Sequence, residues 1–138
     1  MSRNLENLVQ RKLLKAEPPD RAEFEGLLDS GRVRLRDALK ESLAVESRFD
    51  LVYNAAHAIA LAALRWHGYR SDKRYLVFQC LEHTLGCGPE IWRILAMAHE
   101  RRNVAEYQGH LDVDEQLLKE LLAATQLILD KVSALKEP

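Results

Sequence analysis

The stretch from Phe49 to Leu64 constrains this chain most. Phe49, Val52, Tyr53, Ala56, Ile59, Ala60, Ala63 and Leu64 recur at helical spacing, and alanine fills so many of the remaining positions that the segment is apolar on most sides. Such a helix has little solvent face and belongs at the centre of an all-helical domain, where small residues let neighbouring helices approach closely. Ser47 with Asp50 reads as its start signal and Gly68 as its C-terminal cap.

The remaining segments repeat the helical period, and strand alternation appears nowhere over more than a few residues. A first helix is expected from about Ser2 to Lys15, with Leu5, Leu8, Val9, Lys12 and Leu13 as its stripe, and Pro18-Pro19 ending it. Asp20, with Glu23 three residues on, reads as a capping box. The helix it opens carries Phe24, Leu27, Leu28, Val33, Leu35, Leu39 and Leu43, with Gly31 inside the pattern. After a basic connection, a shorter helix spans Tyr75 to Leu85 and stops at Gly86-Cys87-Gly88. Pro89 opens the next helix and Gly109 closes it. Asp112 with Glu115 caps a final amphipathic helix through Leu117, Leu118, Leu121, Leu122, Leu127, Ile128 and Val132. The expectation is an all-α, up-down bundle of four long helices with a short helical insert over 19–138, preceded by a helical arm over 1–18.

At 138 residues the chain fits one domain with a core that needs neither disulfides nor metals. A net charge of −1 carries no bulk signal of a basic nucleic-acid-binding surface, although a local patch is compatible with it. Cys80 and Cys87 do not form a secreted-type framework. The N-terminus lacks the apolar core of a signal peptide, and the longest apolar run, Ala58 to Leu64, is far too short to span a bilayer. The chain therefore reads as soluble and cytoplasmic, with no membrane partner.

Chemistry concentrates around residue 100. His99, Arg102, Asn103 and Glu106 stand at i, i+3, i+4 and i+7, so a helix there carries an imidazole, a guanidinium, a carboxamide and a carboxylate in one stripe. Ile91, Leu95, Ala98 and Ala105 continue an apolar pattern around it, and Arg102 takes a slot that periodicity assigns to a hydrophobe. A charge in such a slot is either a structural ion pair or a functional group. Read structurally, Arg102 and Glu106 are an i, i+4 pair, and Asn103 has no structural reason to sit inside a helix. Elsewhere, Cys80, His83 and Cys87 fall short of a four-ligand zinc set, so no metal and no cofactor is expected. The basic run from Arg65 to Arg74 reads as a solvated loop, with phosphate contact the alternative.

Two segments carry a family resemblance: Ser47-Arg48-Phe49-Asp50-Leu51-Val52-Tyr53-Asn54-Ala55-Ala56-His57, and Arg102-Asn103 within a later helix. With them the chain, over roughly Phe24 to Leu135, resembles HEPN-domain proteins, an all-α family often encoded beside minimal nucleotidyltransferases in toxin–antitoxin modules. The resemblance implies a homodimer that brings two motifs together as a metal-independent endoribonuclease site, with RNA as substrate. In the family an Arg, usually followed by a polar residue, precedes a His by four to six positions. Here Tyr107 occupies the place of that histidine, and His110 lies beyond the usual spacing. Attack by a ribose 2′-hydroxyl needs a base that titrates near neutrality, which imidazole supplies and an ordinary phenol, near pKa ~10, does not.

Two readings follow. In the first, a ribonuclease, Arg102 binds the phosphate, Asn103 orients it, and His99 or His110 is the base. In the second the chain is a catalytically inactive HEPN-fold protein that pairs with a nucleotidyltransferase-like partner, with Arg102, Glu106 and Tyr107 as interface and Tyr107 as a plausible acceptor for nucleotidylation. An unrelated helical bundle with an ion-paired stripe is the third, blander option.

Overall fold

A computed structural model describes residues 3–111 and 113–135 of the chain, and they are mostly helical. In order they form α1 (Arg3–Gln10), β1 (Lys15–Ala16), α2 (Arg21–Ala38), α3 (Val45–Trp66), β2 (Tyr69–Arg70), α4 (Arg74–Gln79), α5 (Leu81–Thr84), α6 (Pro89–Gln108) and α7 (Glu115–Ser133). The Ala-rich helix α3 is central. It touches α2, α4, α5, α6, α7 and β2, and Phe49, Val52, Ala55, Ala56, Ile59, Ala62, Ala63 and Leu64 along it are fully buried. Gly68 and Gly109 end α3 and α6 as expected, both with positive φ, and Pro89 stands in the first turn of α6.

The ends of several helices differ from expectation for identifiable reasons. The first helix stops at Gln10 rather than near Lys15. Lys12 turns the chain with φ 61°, the amides of Leu13 and Leu14 both donate to the Leu8 carbonyl, and Leu14 enters the core. Lys15 and Ala16 then pair antiparallel with Arg70 and Tyr69, a two-residue ladder that no alternation announced. Helix α2 ends at Ala38, whose carbonyl accepts the Arg48 guanidinium at 2.8 Å, so Leu39 and Leu43 lie outside it and are exposed. Helix α3 begins at Val45, ahead of the expected Ser47 signal. The insert is two helices meeting at Cys80, whose carbonyl accepts from both His83 and Thr84 in a tightened turn. Asp112 lies outside the described residues; the residue that caps α7 is Asp114, which accepts the Leu117 amide at 2.8 Å.

The capping box at Asp20 does not form. Asp20 has the extended N-cap backbone but its side chain bonds no amide. Glu23, its expected partner, is drawn instead to Arg65, which is 1 % exposed near the C-terminal end of α3. Arg65 donates from Nε to Glu23, from Nη1 to the carbonyls of Glu17 (2.9 Å) and Tyr69 (3.4 Å), and from Nη2 to that of Pro18 (2.7 Å). Arg70 joins the same two carboxylates, Glu17 and Glu23. Hydrogen bonds from Arg65 and Arg70 hold Glu23 below its ordinary pKa, and the Arg70 bond does the same for Glu17. Two of the cations in the basic run are therefore structural.

Close approach between α2 and α3 depends on Gly31. A Cβ there would stand 2.5 Å from Ile59 Cγ1 and 3.3 Å from the Ala55 carbonyl, both belonging to fully buried residues. Gly31→Ala is expected to destabilise by about 1–3 kcal/mol through overpacking, despite alanine's better helix propensity. Gly26 in the same helix has open space around its Cβ position, so Gly26→Ala is expected to be neutral or to stabilise by up to about 1 kcal/mol. Urea unfolding of the two variants side by side checks both signs. Arg65→Met, which strands the Glu17 and Pro18 carbonyls and leaves Glu23 with Arg70 alone, is expected to cost about 3–5 kcal/mol in the same measurement. A loss under 1 kcal/mol would show that the knot does not hold the fold.

Candidate functional site

Helices α3 and α6 carry stripes of the same spacing. Asp50, Tyr53, Asn54 and His57 stand at i, i+3, i+4 and i+7 of α3, as His99, Arg102, Asn103 and Glu106 do on α6. The fold sets the two stripes against each other. The Tyr53 hydroxyl and His99 Nδ1 are 2.9 Å apart, and Arg102 ion-pairs with Asp50. The Arg102 guanidinium also lies 5.4 Å from the centroid of the Tyr53 ring, within cation–π range. Arg102 is thus anchored across the helix pair by Asp50, rather than along α6 by Glu106 as spacing suggested.

Helix α4 closes a third side. Arg74 donates from Nη1 to Asn54 Oδ1 at 3.0 Å, and its guanidinium is 5.4 Å from the same Tyr53 ring. Tyr75 brings its ring to 6.1 Å from that of His99. Together Tyr53, Asn54, Arg74, His99, Arg102, Asn103 and Glu106 line a cleft of about 300 Å³.

His99 is at its centre. The Asn103 carboxamide nitrogen faces His99 Nε2 at 3.2 Å. With that orientation the neutral ring accepts at Nε2 and carries its proton on Nδ1, which donates to the Tyr53 oxygen. Burial, and then the positive charge of Arg74, push the His99 pKa below its ordinary value, so the ring is neutral at pH 7. A neutral imidazole with a lone pair toward a cleft that holds two guanidinium groups has the parts of a proton acceptor beside an anion site. His57, further along α3 with its ring edge-on to Phe78 at 6.2 Å, is pushed down to about 4, chiefly by burial and then by Arg74 and His99.

Of the residues singled out in the sequence, His99, Arg102, Asn103 and Glu106 share this cleft. Tyr107 does not: it is 91 % exposed near the end of α6. His110 lines a neighbouring cavity with Glu46, Asp50, Ala105, Gly109 and Leu111, which meets the first only through Arg102. Asp50, Tyr53, Asn54 and Tyr75 were not foreseen as site residues, and Arg74 only as one cation of a run for which phosphate contact was the alternative. The i, i+3, i+4, i+7 echo on α3 was a readable signal for the first three; Arg74 was hidden within a run of cations in which Arg65 and Arg70 are structural. Cys80 and Cys87 are buried free thiols, and burial lifts the Cys80 thiol to about 11. Among the described residues, no three His, Cys, Asp or Glu side chains gather as metal ligands, and no helix is long and apolar enough to cross a membrane. No family model matches the chain, and no curated protein or solved structure matches it either.

The histidine placements imply a pH-dependent stability. The His57 pKa falls from 6.5 unfolded to about 4 folded, so the unfolded chain binds the extra proton between those values. Stability is fully present above pH 6.5 and is lost as pH falls toward 4, by an amount of order 3 kcal/mol at most. Thermal melts from pH 7.5 to 4.5 should show a falling midpoint, and His57→Gln should flatten that slope in part. His67 and His99, also lowered, leave the remainder. The lowered Glu17 and Glu23 add losses only below about pH 4.5.

Proposed function

We propose that this chain is a HEPN-like, metal-independent endoribonuclease of toxin–antitoxin type. On this reading the four long helices form an up-down bundle, and two copies associate as a homodimer that brings their clefts together. The observation that supports it is the His99 imidazole, held between Tyr53 and Asn103 beside the guanidinium groups of Arg74 and Arg102. His99, one turn before Arg102, supplies the base that Tyr107 cannot. Once Asn103 gives way to substrate, Nε2 takes the proton of a ribose 2′-hydroxyl. The 2′-oxygen attacks phosphorus, the bond to the 5′-oxygen breaks, and that oxygen takes a proton from solvent. The products are a 2′,3′-cyclic phosphate and a 5′-hydroxyl end. Arg102, exchanging Asp50 for the phosphate, balances the charge that builds on the non-bridging oxygens.

A second reading, an inactive HEPN-fold protein that binds a nucleotidyltransferase-like partner, is favoured by one observation. The Tyr107 hydroxyl stands exposed near the end of α6, apart from the cleft, as an acceptor presented to a modifying enzyme would.

Expression and RNA analysis separate the two. Induced wild-type protein should inhibit growth and fragment total RNA, and Arg102→Ala and His99→Ala should each lower the cleavage rate of purified protein by about 10²-fold or more with the fold intact by circular dichroism. The rate should rise with pH through the lowered His99 pKa, below 6.5, and level off above it, because the base works unprotonated. Arg74, Arg102, Glu106, His57, Tyr53 and Tyr75 are the charged and titratable groups around that ring. Intact RNA from folded protein, with transfer of a nucleotidyl group from a nucleoside triphosphate to the Tyr107 oxygen by a partner enzyme and release of pyrophosphate, would establish the second reading.

A further inference from the structure

We propose that Arg74 and Arg102 together form a two-guanidinium receptor for a doubly charged phosphoryl group, so that Arg74 is a second arginine that contacts substrate in this cleft. The inference rests on the ribonuclease reading for the identity of that substrate, and on the following geometry for the anion.

Arg74 differs from the other half-buried and buried arginines around it. Arg65 and Arg70 are bound to Glu17 and Glu23, and Arg102 to Asp50. Among the described residues Arg74 forms no ion pair: its neighbours are the neutral carboxamide of Asn54 and the face of Tyr53. A partly desolvated cation held only by a neutral acceptor and a ring is costly unless an anion visits it. Its field reaches into the cleft, because it contributes to the lowering of both His57 and His99. Arg102 supplies a second sign of vacancy in hydrogen bonding. Its Nε is buried and has no acceptor among the described residues, while Asp50 engages only Nη1. One phosphoryl group between the two arginines would give Arg74 its counter-charge and Arg102 Nε its acceptor.

Arg74 and Arg102 line the cleft with one carboxylate, Glu106; that carboxylate is exposed and screened by solvent, so the partly desolvated charge facing a ligand is positive. A phosphodiester in the ground state carries one negative charge, which Arg102 alone matches. As the 2′-oxygen bonds to phosphorus and the centre becomes five-coordinate, a second charge develops on the equatorial oxygens. A second guanidinium is favourable mainly at that stage, and an interaction that is stronger in the transition state raises the rate of the chemical step.

Inorganic phosphate, doubly charged at about pH 8, and dimethyl phosphate, singly charged, are the probes. Titrations of the full-length chain at constant ionic strength follow the arginine Nε–H resonances by NMR. Phosphate should shift the Arg74 and Arg102 signals saturably and bind at least tenfold more tightly than dimethyl phosphate. Arg74→Gln should weaken phosphate about tenfold or more with the fold retained, and Arg93→Gln, on the exposed surface of α6, should not. The absence of saturable shifts in the native chain, equal binding of the two anions, or unchanged phosphate binding in Arg74→Gln would each overturn the receptor. Should Arg74→Gln fail to fold, the native titration and Arg74→Lys, which keeps the charge but loses the planar fork, decide the matter; Lys should bind phosphate more weakly than Arg. Arg74-dependent phosphate binding by a protein that leaves RNA intact keeps the receptor and removes the ribonuclease reading. RNA cleavage that proceeds at full rate in Arg74→Gln does the reverse.

Discussion

The buried guanidinium of Arg65 organises the half of the molecule where its chain segments meet. It stands in the last turns of α3, yet its bonds reach the segment before α2, the first turn of α2, and β2. The carbonyls it satisfies at Glu17 and Pro18 belong to a stretch that no helix or sheet closes on itself, and Pro18 and Pro19 bring no amide donors of their own. A full set of partners is what makes a buried arginine tolerable, since removing one member would leave a charge or several acceptors stranded. The small ladder between β1 and β2 then joins the same region, with Tyr69 donating to the Glu6 carboxylate on α1.

That knot also sets the site at the other end of α3. The chain leaves Arg65 and Arg70 and reaches Arg74 within a few residues, so the pinning of β2 determines where α4 begins and where its first guanidinium points. Along α3 itself, the buried Arg65 cluster and the candidate cleft are separated by distance. Asp50, Tyr53, Asn54 and His57 occupy the first and middle turns of the helix and Arg65 its end, four turns beyond Asp50. Between them the alanines and the Gly31 contact at Ile59 draw α2 close and leave α3 little freedom to slide. A cleft whose lining groups are held on three packed helices, α3, α4 and α6, rather than on loops, keeps its distances well defined.

How much of this was legible in the sequence depended on whether a signal was local. The central helix could be read because its apolar period and alanine content need no partner to interpret. Gly68, Gly109 and Pro89 marked helix ends because backbone geometry alone selects them. The polar stripe from His99 to Glu106 was equally plain. Residues whose first choice of partner is far away in sequence were read wrongly or not at all. Glu23 abandons a local cap for Arg65, 42 positions on, and Arg102 passes over Glu106 for Asp50, 52 positions back. A cap is worth about a kcal/mol, whereas the buried Arg65 without a carboxylate costs more, so Glu23 takes the distant partner; at Arg102 the fold presents Asp50 directly across the helix seam. Arg74 was obscured for a related reason: a run of cations looks uniform until the fold separates Arg65 and Arg70, which meet carboxylates, from Arg74, which faces the cleft without one among the described residues.

The arrangement of Arg102 carries a consequence for how such a cleft would work. In the free chain its guanidinium is held by Asp50, a residue half in solvent, so the pair is of the kind that contributes little net stability. Exchange of that carboxylate for a phosphate therefore costs little, because Asp50 returns to water as the anion enters. The Tyr53 ring lies 5.4 Å from each of the two guanidinium groups and its hydroxyl 2.9 Å from His99. The ring is 3 % exposed and packs edge-on against Phe78, so neither its hydroxyl nor the imidazole it orients has to be reset when a ligand arrives. Asp50 in this view is a stand-in that keeps Arg102 extended into the cleft, and the rigid element is the buried tyrosine.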